Sequence, residues 1–210
     1  SLYNSDNPLA GWTATGGASA VAGNIALANT TITLARPLPE SFFMEWEYQS
    51  DSYIAHASVS FSGEDDGRAY HFGVGGSAQT DRPASRITLD KTDFGTVADN
   101  ADVQYYLRKY GSISTSPDPA RWYRFRLLKT GSMIRIEMNC EQLNGEIIPI
   151  LIWQDLGALG GPALGGEALR LVQRGAGRWR NIHIWETAHP PVVPRIFNTG
   201  TRTDAHGTNI

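Results

Sequence analysis

Along most of the chain, apolar and polar residues exchange places at every step. Phe42, Met44, Trp46 and Tyr48 alternate with Phe43, Glu45, Glu47 and Gln49, and Ala55, Ala57, Val59 and Phe61 with His56, Ser58 and Ser60. The same period returns in Tyr70, Phe72 and Val74, in Ile87 and Leu89, in Tyr123, Phe125 and Leu127, and in Ile134, Ile136 and Met138. A period of two turns one set of side chains to a core and the other to water, the pattern of antiparallel sheets. No helical stripe runs longer than two turns. Lys129-Thr130-Gly131-Ser132 and Asn144-Gly145 read as hairpin loops, and Gly63 to Gly67 as an acidic surface turn. The Gly-, Ala- and Leu-rich stretch from Leu156 to Gly166 reads as a loop crossing a sheet edge. Many short strands at this spacing predict an all-β, two-sheet antiparallel jelly-roll sandwich. Trp46, Phe61, Phe72, Phe125, Leu127, Ile134, Ile136, Ile182 and Ile184 are expected in the core between the sheets.

No linker composition interrupts the pattern before residue 187, so residues 1–188 read as one β-sandwich domain. From His189 the character changes, because Pro190, Pro191 and Pro194 exclude regular structure. Residues 189–210 read as an extended C-terminal tail carrying Val192, Val193, Ile196 and Phe197 as apolar anchors. Such a segment can add to an exposed sheet edge of its own domain or of a neighbour, the latter giving a homo-oligomer or filament.

Composition narrows the partners. Hydrophobic residues make up 41% of the 210, enough for a sizeable core. The net charge of −3 supplies no basic face for nucleic acid. The longest apolar run, Ile147 to Trp153, contains Pro149 and is too short to span a bilayer as a helix. Cys140 is the only cysteine, which excludes intramolecular disulfides and cysteine-based zinc sites. Low charge with frequent Ser, Thr, Asn and Gly favours an exported protein, extracellular or periplasmic. The first residue, Ser1, fits either removal of a leader or trimming.

The second half carries an ordered string of motifs: Leu107-Arg108-Lys109-Tyr110-Gly111, Ser116-Pro117-Asp118, Trp122-Tyr123-Arg124-Phe125-Arg126-Leu127 with Lys129, and Ile134 to Asn139. Trp153-Gln154-Asp155, Gly161-Pro162, Gly165-Gly166, Gln173-Arg174 and Arg180-Asn181-Ile182 continue it, and Leu2-Tyr3-Asn4, Asn7-Pro8-Leu9 and Trp12 match at the start. The string resembles a bacterial family of unknown function with a galectin-like, concanavalin A-like lectin–glucanase sandwich, found among genes for rhamnogalacturonan use. The chain departs from that family between about Gly75 and Gln104, where it is shorter and less basic. It also carries an insertion around Cys140 to Asn144, and Gln173-Arg174 stands in the opposite order. The resemblance implies a sugar platform on the outward face of the concave sheet, and brings no settled catalytic residues with it.

Alternation places Glu45, Glu47, His56, Ser58, His71, Arg86, Asp90, Tyr106, Arg108 and Tyr110 on outward faces, without saying which of them share a sheet. Sugar recognition needs flat aromatic faces for C–H surfaces and charged or amide groups for paired hydroxyls. Tyr106, Arg108 and Tyr110 on one strand supply both, with the Arg108 fork suited to a uronate carboxylate; a plain surface ion pair is the competing role for Arg108. His56, His71, Arg86, Glu45 and Glu47 complete the candidate carbohydrate-binding set. Glu45 and Glu47 stand about 7 Å apart along a strand, a spacing that overlaps that of inverting glycosidases. With Tyr106 or His71 as base, a β-elimination can also be drawn. Glu64, Asp65 and Asp66 keep calcium open as a ligand, although no EF-hand spacing is present and a solvated turn is the stronger reading of them; no other cofactor or metal is called for.

Three readings follow. The first is a module that binds or processes a polysaccharide, acidic glycans among the candidates. The second is a polysaccharide lyase or glycoside hydrolase on the same substrates, and the third an extracellular structural subunit assembling through its tail.

Overall fold

The computed structural model describes residues 3–4, 7–52, 55–65, 68–75, 86–92, 95–99, 121–139, 147–157, 161–165 and 168–187. The described residues form an all-β domain of strands β1 (Tyr3–Asn4), β2 (Trp12–Ala14), β3 (Ala18–Val21), β4 (Asn24–Leu34), β5 (Phe42–Ser50), β6 (His56–Asp65) and β7 (Arg68–Gly75). They continue as β8 (Arg86–Lys91), β9 (Gly95–Asp99), β10 (Tyr123–Thr130), β11 (Met133–Asn139), β12 (Ile148–Gln154) and β13 (Leu169–Glu186). Every pairing is antiparallel, and hydrogen bonding runs in the order β12-β11-β10-β5-β13-β6-β7-β8-β9.

The order is continuous because β13 serves both layers of the sandwich. Its first part, Leu169 to Arg174, pairs with β6, and its second, Gly177 to Glu186, with β5. On the other edge β4 follows it from Arg170 to Trp179, and β1 joins at His183 and Ile184. The ladder between β4 and β13 slips between Gln173 and Ala176. Here Gly175 takes φ 75°, Asn29 takes φ 46°, and the Asn29 Oδ1 accepts a hydrogen bond from the Gly175 N–H at 2.7 Å. Both strands therefore turn together from one layer into the other, with a polar side chain closing the bulge.

Between the layers the expected core is present: Trp46, Phe61, Phe72, Phe125, Leu127, Ile134, Ile136, Ile182 and Ile184 are all buried. Trp46 stacks on Phe125 with centroids 5.4 Å apart, and Phe72 meets both rings edge-on at 6.0 and 5.7 Å. Rings from β5, β7 and β10 thus interlock across the sandwich, a geometry that adds to the area they bury.

Two sequence expectations need adjustment. Lys129 and Thr130 belong to β10, and only Gly131 and Ser132 form the connection to β11, with Gly131 at φ 53°. Lys129 is buried, its Nζ donating to the carbonyls of Gly131 at 2.8 Å and Glu40 at 3.3 Å. Outward side chains are also not uniformly in water, since Glu47, Ser58 and Ser60 are buried. Short serines lie low between longer cross-strand neighbours (Ser60 sits between Arg170 and His71), and Glu47 is covered by the arginines it binds. The Asn144-Gly145 turn and the 189–210 tail lie outside the described residues.

At the point where β13 changes layer, the buried Gln173 holds several elements together. Its amide Nε2 donates to the carbonyls of Arg174 and His56 at 3.2 and 3.3 Å and lies 3.4 Å from the Tyr48 hydroxyl, while its Oε1 accepts from the Trp179 indole at 3.3 Å. Gly177 is required beside it, because a Cβ there would stand 2.7 Å from the Gln173 Oε1 and 2.9 Å from the Tyr48 ring. Gln173→Ala strips the partner from the buried indole and opens a cavity, so it is expected to lower the unfolding free energy by about 2–4 kcal/mol. Chemical denaturation checks this, and an unchanged midpoint would show that the hub contributes nothing.

Candidate functional site

The sheet register sorts the outward residues into two separate faces. On the first, cross-strand rows run Arg170–Ser60–His71–Asp90 and Val172–Ser58–Gly73–Thr88 across β13, β6, β7 and β8. A third row holds Arg174, His56 and Gly75, with Arg86 next to Gly75 on β8. The second face, on β13, β5, β10 and β11, carries Arg180–Glu47–Arg124–Asn139 and His183–Glu45–Arg126–Glu137. His56, His71 and Arg86 are therefore brought together in one sheet, and Glu45 and Glu47 lie on the opposite outer surface. Tyr106, Arg108 and Tyr110 lie outside the described residues, as do the side chains of Glu64, Asp65 and Asp66.

On the second face the carboxylates of Glu45 and Glu47 are held by arginines, although Thr130 Oγ1 and Arg135 Nε stay without a hydrogen-bond partner among the described residues. Arg180 Nε donates to Glu47 Oε2 at 2.6 Å, Asn181 Nδ2 to the same oxygen at 3.1 Å, and Arg124 to Oε1 through Nη2 at 2.9 Å and Nε at 3.2 Å. Arg180 also lies over the Trp122 ring, 3.9 Å from its centroid. Asn181 reaches Glu47 because it takes a left-handed φ of 52° where the β13–β5 register slips. Burial raises the Glu47 carboxyl, and the hydrogen bonds from Arg180 and Arg124 outweigh that, holding it below its ordinary value. Glu45 accepts from Arg126 Nε at 2.6 Å. Neither carboxylate has the freedom that an acid–base pair requires, so the two-residue spacing in the sequence marks an ion-pair lattice.

The first face leaves polar groups unshared. Asp90 Oδ1 is closed off from solvent and has no hydrogen-bond partner among the described residues. His71, opposite Asp90 in the register, touches Thr92 Oγ1 through Nε2 at 3.3 Å. His56 lies across Gly73, where a Cβ would stand 3.1 Å from its Nε2 and 3.0 Å from Thr88 Oγ1. Glycine at position 73 thus makes the floor on which an imidazole and a hydroxyl meet. Burial pushes both histidines below their ordinary value; Arg174 adds to this at His56 and Arg170 at His71, while Asp90 opposes it at each. Both imidazoles are therefore neutral at neutral pH, with Asp90 opposite His71 and Arg170 and Arg174 on the neighbouring β13. No group of three or more His, Cys, Asp or Glu among the described residues is arranged to hold a metal ion.

No protein-family model and no curated protein matches this chain. Solved structures do share its fold. A Bacillus subtilis protein of unknown function with a galectin-like fold is 18% identical, with 82% of this chain and 88% of that one covered at a TM-score of 0.57. The exoplasmic/lumenal domain of VIP36, in its Ca2+/Man3GlcNAc-bound form, is 9% identical over 88% of this chain and 89% of that one, with a TM-score of 0.59. A seed lectin of Lotus tetragonolobus is 9% identical over 85% and 95%, with a TM-score of 0.53. The chain is thus a β-sandwich of the galectin-like and lectin type, as the alternation and motif string predict.

The residues that sequence reasoning left out of the site are Ser60, Gly73, Thr88, Arg170 and Arg174. Alternation alone marks Ser60 and Thr88 as outward, but only the register brings them beside the histidines.

Glu47→Gln is expected to lower stability by about 1–3 kcal/mol at neutral pH, the lower half favoured because Arg124 and Arg180 are 44% and 37% exposed. The folded carboxyl lies below its ordinary 4.5, so its contribution is full above that pH and disappears as pH falls through the lowered value. Denaturation of both proteins across the acid range should show the difference shrinking toward zero, and a constant difference would deny the ion-pair role.

Proposed function

We propose that the chain is a carbohydrate-binding module that uses the outward face of β6, β7 and β8. The observation that carries this reading is that this face sets two desolvated histidines and an aspartate that meets no guanidinium among the described residues around a glycine floor. A sugar offers hydroxyls in pairs and needs donors and acceptors that the protein has not already spent. Asp90, half-buried, adds a carboxylate that can accept from a ligand hydroxyl. His56, Thr88 and His71 supply further groups around a glycine floor. The fold supports the reading in general terms, because sandwiches of this kind include a seed lectin and a Man3GlcNAc-bound domain. An acidic polysaccharide is the first candidate, since Arg170 and Arg174 flank the histidines and the motif string resembles a family found among rhamnogalacturonan genes. An extracellular or periplasmic setting accompanies such a ligand.

A catalytic reading has one observation in its favour. A general base must be unprotonated, and His71 is desolvated and faces Asp90 across the β7–β8 ladder. Lyase action on a uronate polymer would then appear as absorbance from an unsaturated product.

Calorimetric titration with neutral and uronate-containing oligosaccharides tests the binding proposal. His71→Ala and Asp90→Asn are each expected to weaken binding about ten-fold, equivalent to roughly 1.4 kcal/mol, with little change in thermal stability. No heat with any glycan at millimolar concentration, or affinity unchanged by both substitutions, would remove this face from consideration.

A further inference from the structure

The outer surface of the β13–β5–β10–β11 layer carries an order that its internal ion pairs do not explain. Across the four strands its rows are Arg180–Glu47–Arg124–Asn139, His183–Glu45–Arg126–Glu137 and Trp185–Phe43–Leu128–Arg135. Ile152 of β12, opposite Arg135, continues the third row and is 61% exposed. That row is the apolar stripe of the face. Trp185 and Phe43 are only partly covered, with ring centroids 5.3 Å apart, and His183 stacks on the Trp185 ring at 5.5 Å. Exposed aromatic rings set among arginines are the composition of protein interfaces rather than of solvated surface.

The charges of the face indicate what covers it. Arg126 binds Glu45 and Arg135 binds Glu137, each at 2.6 Å, so these four charges cancel. A strongly charged partner therefore finds little to pair with there. A second copy fits better. Consider a two-fold axis lying in the face, parallel to the strands and midway between β5 and β10. It lays the copy's β13 over β11 and its β5 over β10, an isologous contact. Glu47 then meets Arg124, Glu45 meets Arg126, His183 meets Glu137 and Phe43 meets Leu128. Trp185 meets Arg135, a cation–π pairing, and Arg180 meets the neutral Asn139. No like charges oppose each other in any of the three rows. Moving the axis onto β5 sets Glu45 and Glu47 against themselves, and moving it onto β10 does the same to Arg124 and Arg126. The size is also adequate. Five strands about 4.8 Å apart, with a β5 of 9 residues at about 3.4 Å each, outline a face of roughly 24 by 30 Å. That is about 700 Å² per copy, close to the roughly 800 Å² a side of a stable specific interface.

We infer that this face is a self-association surface, joining two copies of the chain back to back. The surface is independent of glycan binding, because the β6–β7–β8 faces lie on the opposite outer surfaces and stay open in such a dimer.

Sedimentation equilibrium of the full chain across the micromolar range is expected to show a reversible monomer–dimer equilibrium. Phe43→Glu puts a charge into the apolar row and should raise the dimer dissociation constant about 30-fold or more, the loss typical of a central anchor. Trp185→Ala adds no charge and should raise it about ten-fold. Val21→Glu places the same charge on an exposed apolar residue of β3, off this face, and should leave the equilibrium unchanged. Thermal melting followed by circular dichroism establishes that each variant is folded, and Trp185→Ala carries the test if Phe43→Glu does not fold. A monomer throughout the series, or assembly beyond two copies, would overturn the proposal. So would a dimer untouched by both face substitutions, or one weakened as much by Val21→Glu.

Discussion

Everything in this sandwich depends on one ribbon, β4 with β13, passing from one layer to the other across a single slip in its ladder. A strand that changes layer must shed one neighbour and gain another, and the backbone groups at the crossing risk being left unpaired inside the fold. Here the risk is met by local chemistry. Asn29 and Gly175 take left-handed conformations opposite each other and share a hydrogen bond, while Gln173 fills the gap beneath them with an amide that both donates and accepts. Gly177 leaves room for that amide. A purely apolar side chain at position 173 would fill the volume but abandon the Trp179 indole and the His56 carbonyl, so the position demands both shape and polarity. Because Gln173 grips the His56 carbonyl, the crossing also sets where β6 starts and hence where the first histidine of the candidate site lies.

A second buried network fixes the far end of the same sheet. Lys91 and Asp155 form an ion pair at 2.7 Å with both side chains withdrawn from water, and the Tyr70 hydroxyl donates to Asp155 Oδ2 at 2.6 Å. A buried pair adds little net stability against an apolar replacement, but losing one partner strands a charge, which makes the arrangement unforgiving and specific. Its effect is positional. It holds the 161–165 segment against β7 and β8, and that segment forms one wall of a cavity beside Ser62. Burial and the bond to Asp155 push the Tyr70 phenol far above its ordinary value, so it stays a donor at neutral pH.

Much of this architecture is legible in the sequence because burial is periodic. Phe42 to Ser50 and Met133 to Asn139 alternate almost without exception, and such stretches admit one interpretation. What resists reading is whatever depends on partners distant in the chain. Glu45 and Glu47 carry the same local pattern as His56 and Ser58, yet one pair joins an arginine–carboxylate lattice and the other a face without one. The difference lies in Arg124, Arg126 and Arg180, which lie from 77 to 133 residues away along the chain. Lys129 looked like a turn residue because lysine next to Thr-Gly-Ser is ordinarily solvated, whereas the fold withdraws it to satisfy two carbonyls. The slip of β6 against β7 between Phe61 and Asp65 has no sequence sign beyond Gly63.

The contrast between the two outward faces carries the functional argument further than the fold does. Folds of this type display polar side chains on both surfaces as a matter of geometry, so polarity alone identifies nothing. On the β5–β10–β13 face Glu45 and Glu47 are each met by a guanidinium within 2.9 Å. On the β6–β7–β8 face the fold lowers two histidines to neutrality by burial, seats one on a glycine and leaves a carboxylate oxygen without a donor. An arrangement that served stability alone would meet the Asp90 carboxylate with a guanidinium, as the opposite face does for Glu45 and Glu47. Desolvated polar groups held in place by rigid strands cost folding free energy, and a hydroxyl-rich partner is the kind we propose to offset that cost on this face.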